Sequence, residues 1–209
     1  MAKRLIDISQ TIRSALPVWP GDTAFALEPV WTIEPDCPVN VSRLTLSTHS
    51  GTHADAPLHY DPRGKTIAAA DPALYIGECH VFDVRASRGL VRPADFDPEI
   101  AGGCERILFR TFDHFPHDIW VSDYVAIAPE TIETLHRVGV KLVGMDGPSL
   151  DPERSKTLDA HHAVKRAGMA ILEGLVLDHV AEGRYELIAA PLKIEGADAS
   201  PVRALLREL

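Results

Sequence analysis

Eleven residues, His49-Ser-Gly-Thr-His53-Ala-Asp55-Ala-Pro-Leu-His59, constrain this chain more than any other stretch. They gather three imidazoles and one carboxylate around a glycine and a proline. Neutral imidazole nitrogens and ionised carboxylate oxygens are the donors that divalent zinc, manganese or iron accept. Gly51 and Pro57 both oppose a continuous helix, so the spacing of His49 and His53 does not read as a helical metal-binding face. An irregular loop entering a strand is expected instead. If residues 53–55 are extended, His53 and Asp55 project to the same side.

The rest of the chain supplies a setting for such a site. Its 209 residues fit a single domain, 1–209, large enough for a real core. The formal charge of −9 argues against nucleic acid or an anionic membrane as partner, because both need clustered Lys and Arg. No apolar run approaches a membrane span. Cys37, Cys79 and Cys104 are odd in number and widely spaced, which disfavours a disulfide scaffold and suits a reduced, cytoplasmic setting. The segment Met1–Asp7 is charged and lacks the apolar stretch of a secretory leader.

Hydrophobic patterning predicts many short strands and few helices. Strands are expected at Leu5–Ile8, Val30–Ile33, Val39–Leu46, His80–Val84, Ile107–Arg110, Val125–Ala128, Lys141–Met145, Met169–Leu172 and Tyr185–Ala190. A helix is expected over Pro129–Val138, with Pro at its start, an apolar stripe of Ile132, Leu135 and Val138, and Gly139 beyond its end. A shorter helix is expected over His161–Ala167. The fold class is therefore α/β or α+β with a largely β core.

A site with two metal ions needs more donors than one loop holds. His161-His162 and Glu173 are the best further candidates. Glu173 lies in the apolar run Met169-Ala-Ile-Leu-Glu-Gly-Leu-Val, where a carboxylate is costly to bury unless paired or bound to metal; a solvent-facing strand position is the plain alternative. On a helix, His161 and His162 project about 100° apart, so only one of them reaches a given ion. His80, His114, His117, His136 and His179 read as ordinary structural or exposed histidines, and Trp31 and Trp120 as packing residues. Asp146 and Ser149 read as stabilisers of their own turn.

The run from His49 to His59 resembles the H-x-G-T-H-x-D-x-P-x-H motif of the cyclase family of metal-dependent hydrolases. Pro17-Val-Trp19-Pro-Gly-Asp22, the stretch from Val39 through Tyr60, Asp146-Gly-Pro-Ser149, His161-His162 and Ile171-Leu-Glu173-Gly-Leu175 resemble its bacterial arylformamidase branch. The resemblance implies a swivelling β/β/α fold and at least a homodimer. It implies that His49, His53 and Asp55 hold a first zinc, that Asp55 also reaches a second zinc bound by His161, and that Glu173 contacts both. Manganese or iron would suit the same donors. His59 is then the proton carrier and Trp19 touches the substrate, an aryl formamide, N-formyl-L-kynurenine, which water attacks to release formate. Two other readings stay open: a hydrolase of isatin or another cyclic amide or lactone, and a metal-dependent binding protein without turnover.

Overall fold

Short apolar runs alternating with turns produce thirteen strands and three α-helices among the described residues, 3–209, of this computed structural model. Met1 and Ala2, the first residues of the segment read above as leaderless, lie outside them. The strands are β1 (Leu5–Asp7), β2 (Ala26–Trp31), β3 (Val41–Thr45), β4 (His53–Asp55), β5 (Ile76–Asp83), β6 (Leu90–Val91), β7 (Arg106–Arg110), β8 (Ala126–Ile127), β9 (Leu142–Met145), β10 (Ala170–Glu173), β11 (Gly183–Ile188), β12 (Ala199–Pro201) and β13 (Leu205–Glu208). The helices are α1 (Pro98–Ala101), α2 (Pro129–Arg137) and α3 (Asp159–Ala167).

Nine strands form one mixed sheet in the order β1-β13-β11-β5-β7-β9-β10-β4-β12. Its centre, β5-β7-β9-β10, is parallel and its flanks are antiparallel. The parallel strands are covered on both faces, which explains their nearly continuous apolar sequences. Cys79, Val81, Leu108, Leu142 and Leu172 pack on one face with Ile8, Ile67, Tyr75 and Leu177. Phe82, Ile107, Phe109, Val143 and Ile171 pack on the other, beneath Ile132 and Leu135 of α2 and Ala160, Ala163 and Val164 of α3. Gly144 of β9 lets β7 pack closely against it: a Cβ there would lie 2.7 Å from Leu108 Cδ2.

Most expected elements are present with boundaries moved by a few residues. The segment 53–55 is extended, as the conditional reading required, and forms an inner strand. β5 begins at Ile76, four residues before the expected His80, because Gly77 and Glu78 pair with β11 although they break the apolar pattern. β12 and β13 were not anticipated. β12 is short and contains Pro201, which suits the sheet edge where it lies.

β2 and β3 stand apart as a two-stranded hairpin. Leu27, Val30, Trp31, Val41 and Leu44 on it are exposed, so Trp31 does not pack in the core as expected. Among the described residues no helix is long and apolar enough to cross a membrane.

Candidate metal centre

The site begins with the antiparallel pairing of β4 and β10. Its register sets His53 opposite Glu173 and Asp55 opposite Ile171. Alternation then directs His53, Asp55 and Glu173 to one face of the sheet, the face covered by α3, which carries His161. Glu173 is 2% exposed, so the solvent-facing alternative is excluded. Two left-handed glycines permit the close approach of the flanking loops. Gly51 has φ +66°; Gly174 has φ +64°, and a Cβ on it would meet the Gly51 carbonyl oxygen at 2.6 Å. The Gly174 carbonyl accepts hydrogen bonds from Thr52 Oγ1 at 2.6 Å and from Gln10 Nε2 at 2.9 Å.

Three imidazoles are fixed by their outer nitrogens. His53 Nδ1 lies 2.9 Å from the Gly51 carbonyl oxygen, which can only accept, so Nδ1 carries the proton. His161 Nδ1 donates to Asp151 Oδ2 at 2.6 Å. His49 Nε2 lies 3.1 Å from Asp198 Oδ2. The inner nitrogens face the carboxylates: His53 Nε2 is 3.3 Å from Glu173 Oε2 and 3.5 Å from Asp55 Oδ1, His161 Nε2 is 3.3 Å from Asp55 Oδ2, and His49 Nδ1 is 3.1 Å from Asp55 Oδ1. Glu173 Oε1 also accepts from the Leu150 amide at 2.7 Å. Asp55 Oδ1 is buried without a hydrogen-bond partner.

Two groups of donors converge: His49, Asp55 and His59, and His53, Asp55 and Glu173. Asp55 belongs to both. Outer acceptors that fix the tautomer of each imidazole are the usual support of a metal ligand. An orphaned buried carboxylate oxygen inside such a cage is otherwise a costly arrangement. The residues present therefore fit a metal cofactor.

Electrostatics agree. Burial alone would raise the Asp55 carboxyl, but His161, His49 and His53 hold it well below the usual carboxylate range. Burial and the neighbouring charge of Asp55 raise Glu173, yet hydrogen bonds from His161 and His53 keep it lowered. Burial lowers His161, and Asp151, Asp55 and Glu173 outweigh it, so this imidazole is raised well above its ordinary value. Carboxylates that stay ionised, and a potential negative enough to raise a buried imidazole, mark a centre where a cation can take the place of a proton on the imidazoles.

Each expected site residue is near this cage. His59 follows β4 at the rim, its ring 4.2 Å from that of His49 and its Nδ1 3.5 Å from Asp198 Oδ2. His161 is buried facing the cage, whereas His162 is only partly buried and approaches Tyr60, at a ring separation of 6.5 Å. The cage opens into a cavity of about 320 Å³ that Trp19 lines. Trp19 packs edge-to-face on Trp120 at 5.4 Å, so Trp120 serves the cavity wall and not the core. Phe112, Phe115 and Ile119 line the same wall, while His114 and His117 do not.

Two carboxylates, Asp198 and Asp151, escaped the sequence reading, and a third, Asp146, has a different role from the one expected. Asp198 holds His49. Asp151 caps α3 by accepting the Ala160 and His161 amides, each at 3.0 Å, while it holds the His161 ring; Leu158, just before the helix, has left-handed φ 48°. Asp146 does not serve its own turn as expected. It accepts from Thr111 Oγ1 at 2.5 Å and from the Thr111 and Phe112 amides at 2.8 and 2.9 Å, which anchors the aromatic wall. Aspartates before Gly, Pro or Ala carry ordinary turn signals, so nothing local marks them.

Imidazole and carboxylate donors caged at the floor of an aromatic cavity define the site of a metal-dependent enzyme. The Cyclase family model matches residues 6–152. A kynurenine formamidase from Maricaulis maris is 58% identical over 209 residues, all of both chains, and one from Sphingopyxis alaskensis is 55% identical over 206 residues, 99% of each. A solved potential metal-dependent hydrolase with cyclase activity superposes with TM-score 0.82 at 28% identity, covering 100% of this chain and 99% of that one. An isatin hydrolase bound to the product analogue thioisatinate gives TM-score 0.83 at 22% identity, covering 99% and 93%, a likeness of fold alone. The chain belongs to the cyclase family.

Burial pushes the Asp146 carboxyl up to about 6, against the hydrogen bonds from Phe112 and Thr111 that lower it. A folded-state value above the unfolded one favours the fold below the unfolded value, near 3.8, and this benefit is lost as pH rises through about 6. The stability of wild type relative to Asp146→Asn should therefore fall between pH 4 and pH 7, by up to about 3 kcal/mol. Urea unfolding of both proteins across that range measures it, and a difference that is flat with pH would refute it.

Proposed function

We propose that this chain is a two-zinc arylformamidase that hydrolyses N-formyl-L-kynurenine to L-kynurenine and formate. The observation that carries this reading is the joining of a caged His/Asp/Glu cluster to an aromatic cavity walled by Trp19, in a chain alike over its whole length to kynurenine formamidases. His49, His53 and Asp55 would hold the first ion, Asp55 and His161 would hold the second, and Glu173 would contribute to both. Bound divalent ions supply Lewis acidity at the formyl carbonyl and water acidic enough to attack near neutral pH. Manganese or iron in place of zinc would fit the same donors.

The protein's own groups complete the chemistry. The edge-to-face Trp19–Trp120 pair offers flat apolar surface for the aryl ring, and a cavity of about 320 Å³ suits a small molecule. His59 stands at the rim beside the cage and outside its buried floor. From there it gives a proton to the anilinic nitrogen as the carbon–nitrogen bond breaks, a task suited to an imidazole near neutral pH. Because His59 also falls in one of the two donor groups, a ligand role is the specific competing assignment. A hydrolase of isatin or another cyclic amide or lactone would use the same cage, and a binding protein without turnover would not need His59.

All 209 residues act as one domain in this reading, since the main sheet draws strands from both ends of the chain. The enzyme works in the cytoplasm, where its cysteines stay reduced. It forms a homodimer through the β2–β3 hairpin. A lone two-stranded hairpin is marginally stable in water, and one carrying Leu27, Trp31 and Leu44 in exposed positions gains from a second copy.

Four outcomes test this reading. Purified protein should release formate from N-formylkynurenine, lose the activity on chelation and regain it with zinc; His59→Ala should keep its metal while turnover falls roughly 100-fold or more. Metal loss in that variant would make His59 a ligand, and ring opening of isatin without formate release would favour the cyclic-amide reading. Trp19→Ala should raise KM roughly 5- to 10-fold with a smaller change in kcat; an unchanged KM removes Trp19 from the substrate. Sedimentation should show a dimer that Trp31→Asp with Leu44→Lys converts to a monomer.

A further inference from the structure

Asp198 stands just before β12, where nothing in the motif from His49 to His59 points. Its backbone is fixed beside the cage: the Asp198 carbonyl accepts from the Ala56 amide at 2.8 Å, and the next residue, Ala199, pairs with Asp55. Its side chain is divided between two tasks. Oδ1 accepts from Thr48 Oγ1 at 2.9 Å. Oδ2 is left to face two imidazoles, His49 Nε2 at 3.1 Å and His59 Nδ1 at 3.5 Å. Those two rings lie 4.2 Å apart between centroids.

We propose that Asp198 is a positioning residue shared by a metal-binding imidazole, His49, and the proton-carrying imidazole, His59, and that one carboxylate oxygen sets the tautomer and orientation of both. An ionised carboxylate only accepts hydrogen bonds. The His49 nitrogen facing it is therefore Nε2–H, so that when a cation is held beside Asp55 Oδ1, 3.1 Å from Nδ1, it is the Nδ1 lone pair that is free to bind it. The same argument places a proton on His59 Nδ1 and assigns Nε2 to the substrate. In the hydrolysis His59 Nε2–H transfers its proton to the anilinic nitrogen as the bond from that nitrogen to the formyl carbon breaks. The electron pair of the bond stays on nitrogen, and His59 is left as the neutral Nδ1–H tautomer facing Asp198. Asp198 touches neither the substrate nor the ions; it acts through the two rings.

The first role does not depend on the substrate, whereas the second rests on the formamidase reading. The test therefore pairs a readout without turnover with one that requires it. Asp198→Ala and Asp198→Asn are compared with wild type for zinc affinity by chelator competition, with thermal unfolding as the check that both fold. The expected result is roughly 10- to 100-fold weaker binding of one ion. Nitrogen-15 shifts of the imidazoles should report the Nδ1–H form of His59 in wild type and a mixture of tautomers in Asp198→Ala.

With zinc saturating, kcat for formate release should fall roughly 10- to 100-fold while KM moves by less than about threefold. In a His59→Ala background the Asp198→Ala change should cost no further kcat, because residues acting as one unit are not additive. Wild-type zinc affinity in both Asp198 variants, an unchanged His59 tautomer, or an additive loss in the double variant would each overturn the proposal. Wild-type protein that fails to release formate would defeat the formamidase reading, and the affinity and tautomer measurements would still decide for or against Asp198.

Discussion

A wholly buried carboxylate oxygen without a hydrogen-bond partner, Asp55 Oδ1, is the point on which this structure turns. Beside it lie a second buried carboxylate, Glu173, and two buried imidazoles, His53 and His161. In an apolar interior such a cluster costs several kcal/mol unless opposite charge and hydrogen bonds offset it. The surroundings supply part of that offset. Gly51 O, Asp151 and Asp198 each take the outer proton of one ring, and the Leu150 amide takes one oxygen of Glu173. What they leave uncompensated is concentrated between Asp55 and Glu173, where a cation would complete it. The fold thus spends its polar groups on holding donors in place around a centre of negative potential.

Much of this was legible in the sequence for a local reason. His49, His53, Asp55 and His59 are close in sequence, and Gly51 with Pro57 rules out the helix that would have scattered them differently. A buried role for Glu173 could be suspected because a carboxylate amid Met169, Ile171 and Leu172 has few inexpensive alternatives. The β core followed from short apolar runs between turns, and α2 from its proline start and apolar stripe. Periodicity could not give the register that sets Glu173 opposite His53, since register depends on which strand lies alongside.

The residues that stayed hidden share a different property. Asp146, Asp151 and Asp198 act across 35, 10 and 149 positions of the chain respectively, and each is an aspartate in a turn-like context that predicts nothing beyond the turn. Trp120 read as a packing residue because an aromatic in a loop carries no sign of which side of it faces solvent. β12 was obscured by its own proline and by its place at the sheet edge. Local chemistry declares donors, whereas the groups that orient donors are declared only by the fold.

The cage and the cavity walls are built from different parts of the chain, and this separation has a consequence for substrate choice. The cage comes from β4, β10 and α3, all anchored in the main sheet and its covering helix. The walls come from two loops, one carrying Trp19 and the other Phe112 through Trp120. Arg13 ties these loops together by donating to the His117 carbonyl at 2.8 Å and to Asp118 at 2.5 Å, and Asp146 pins the second loop to the end of β9. Loops held by a few polar contacts can change while a sheet-borne cage stays put. The sheet and α3 therefore fix the donors, while the shape of the space above them is left to the loops that carry the Trp19–Trp120 pair.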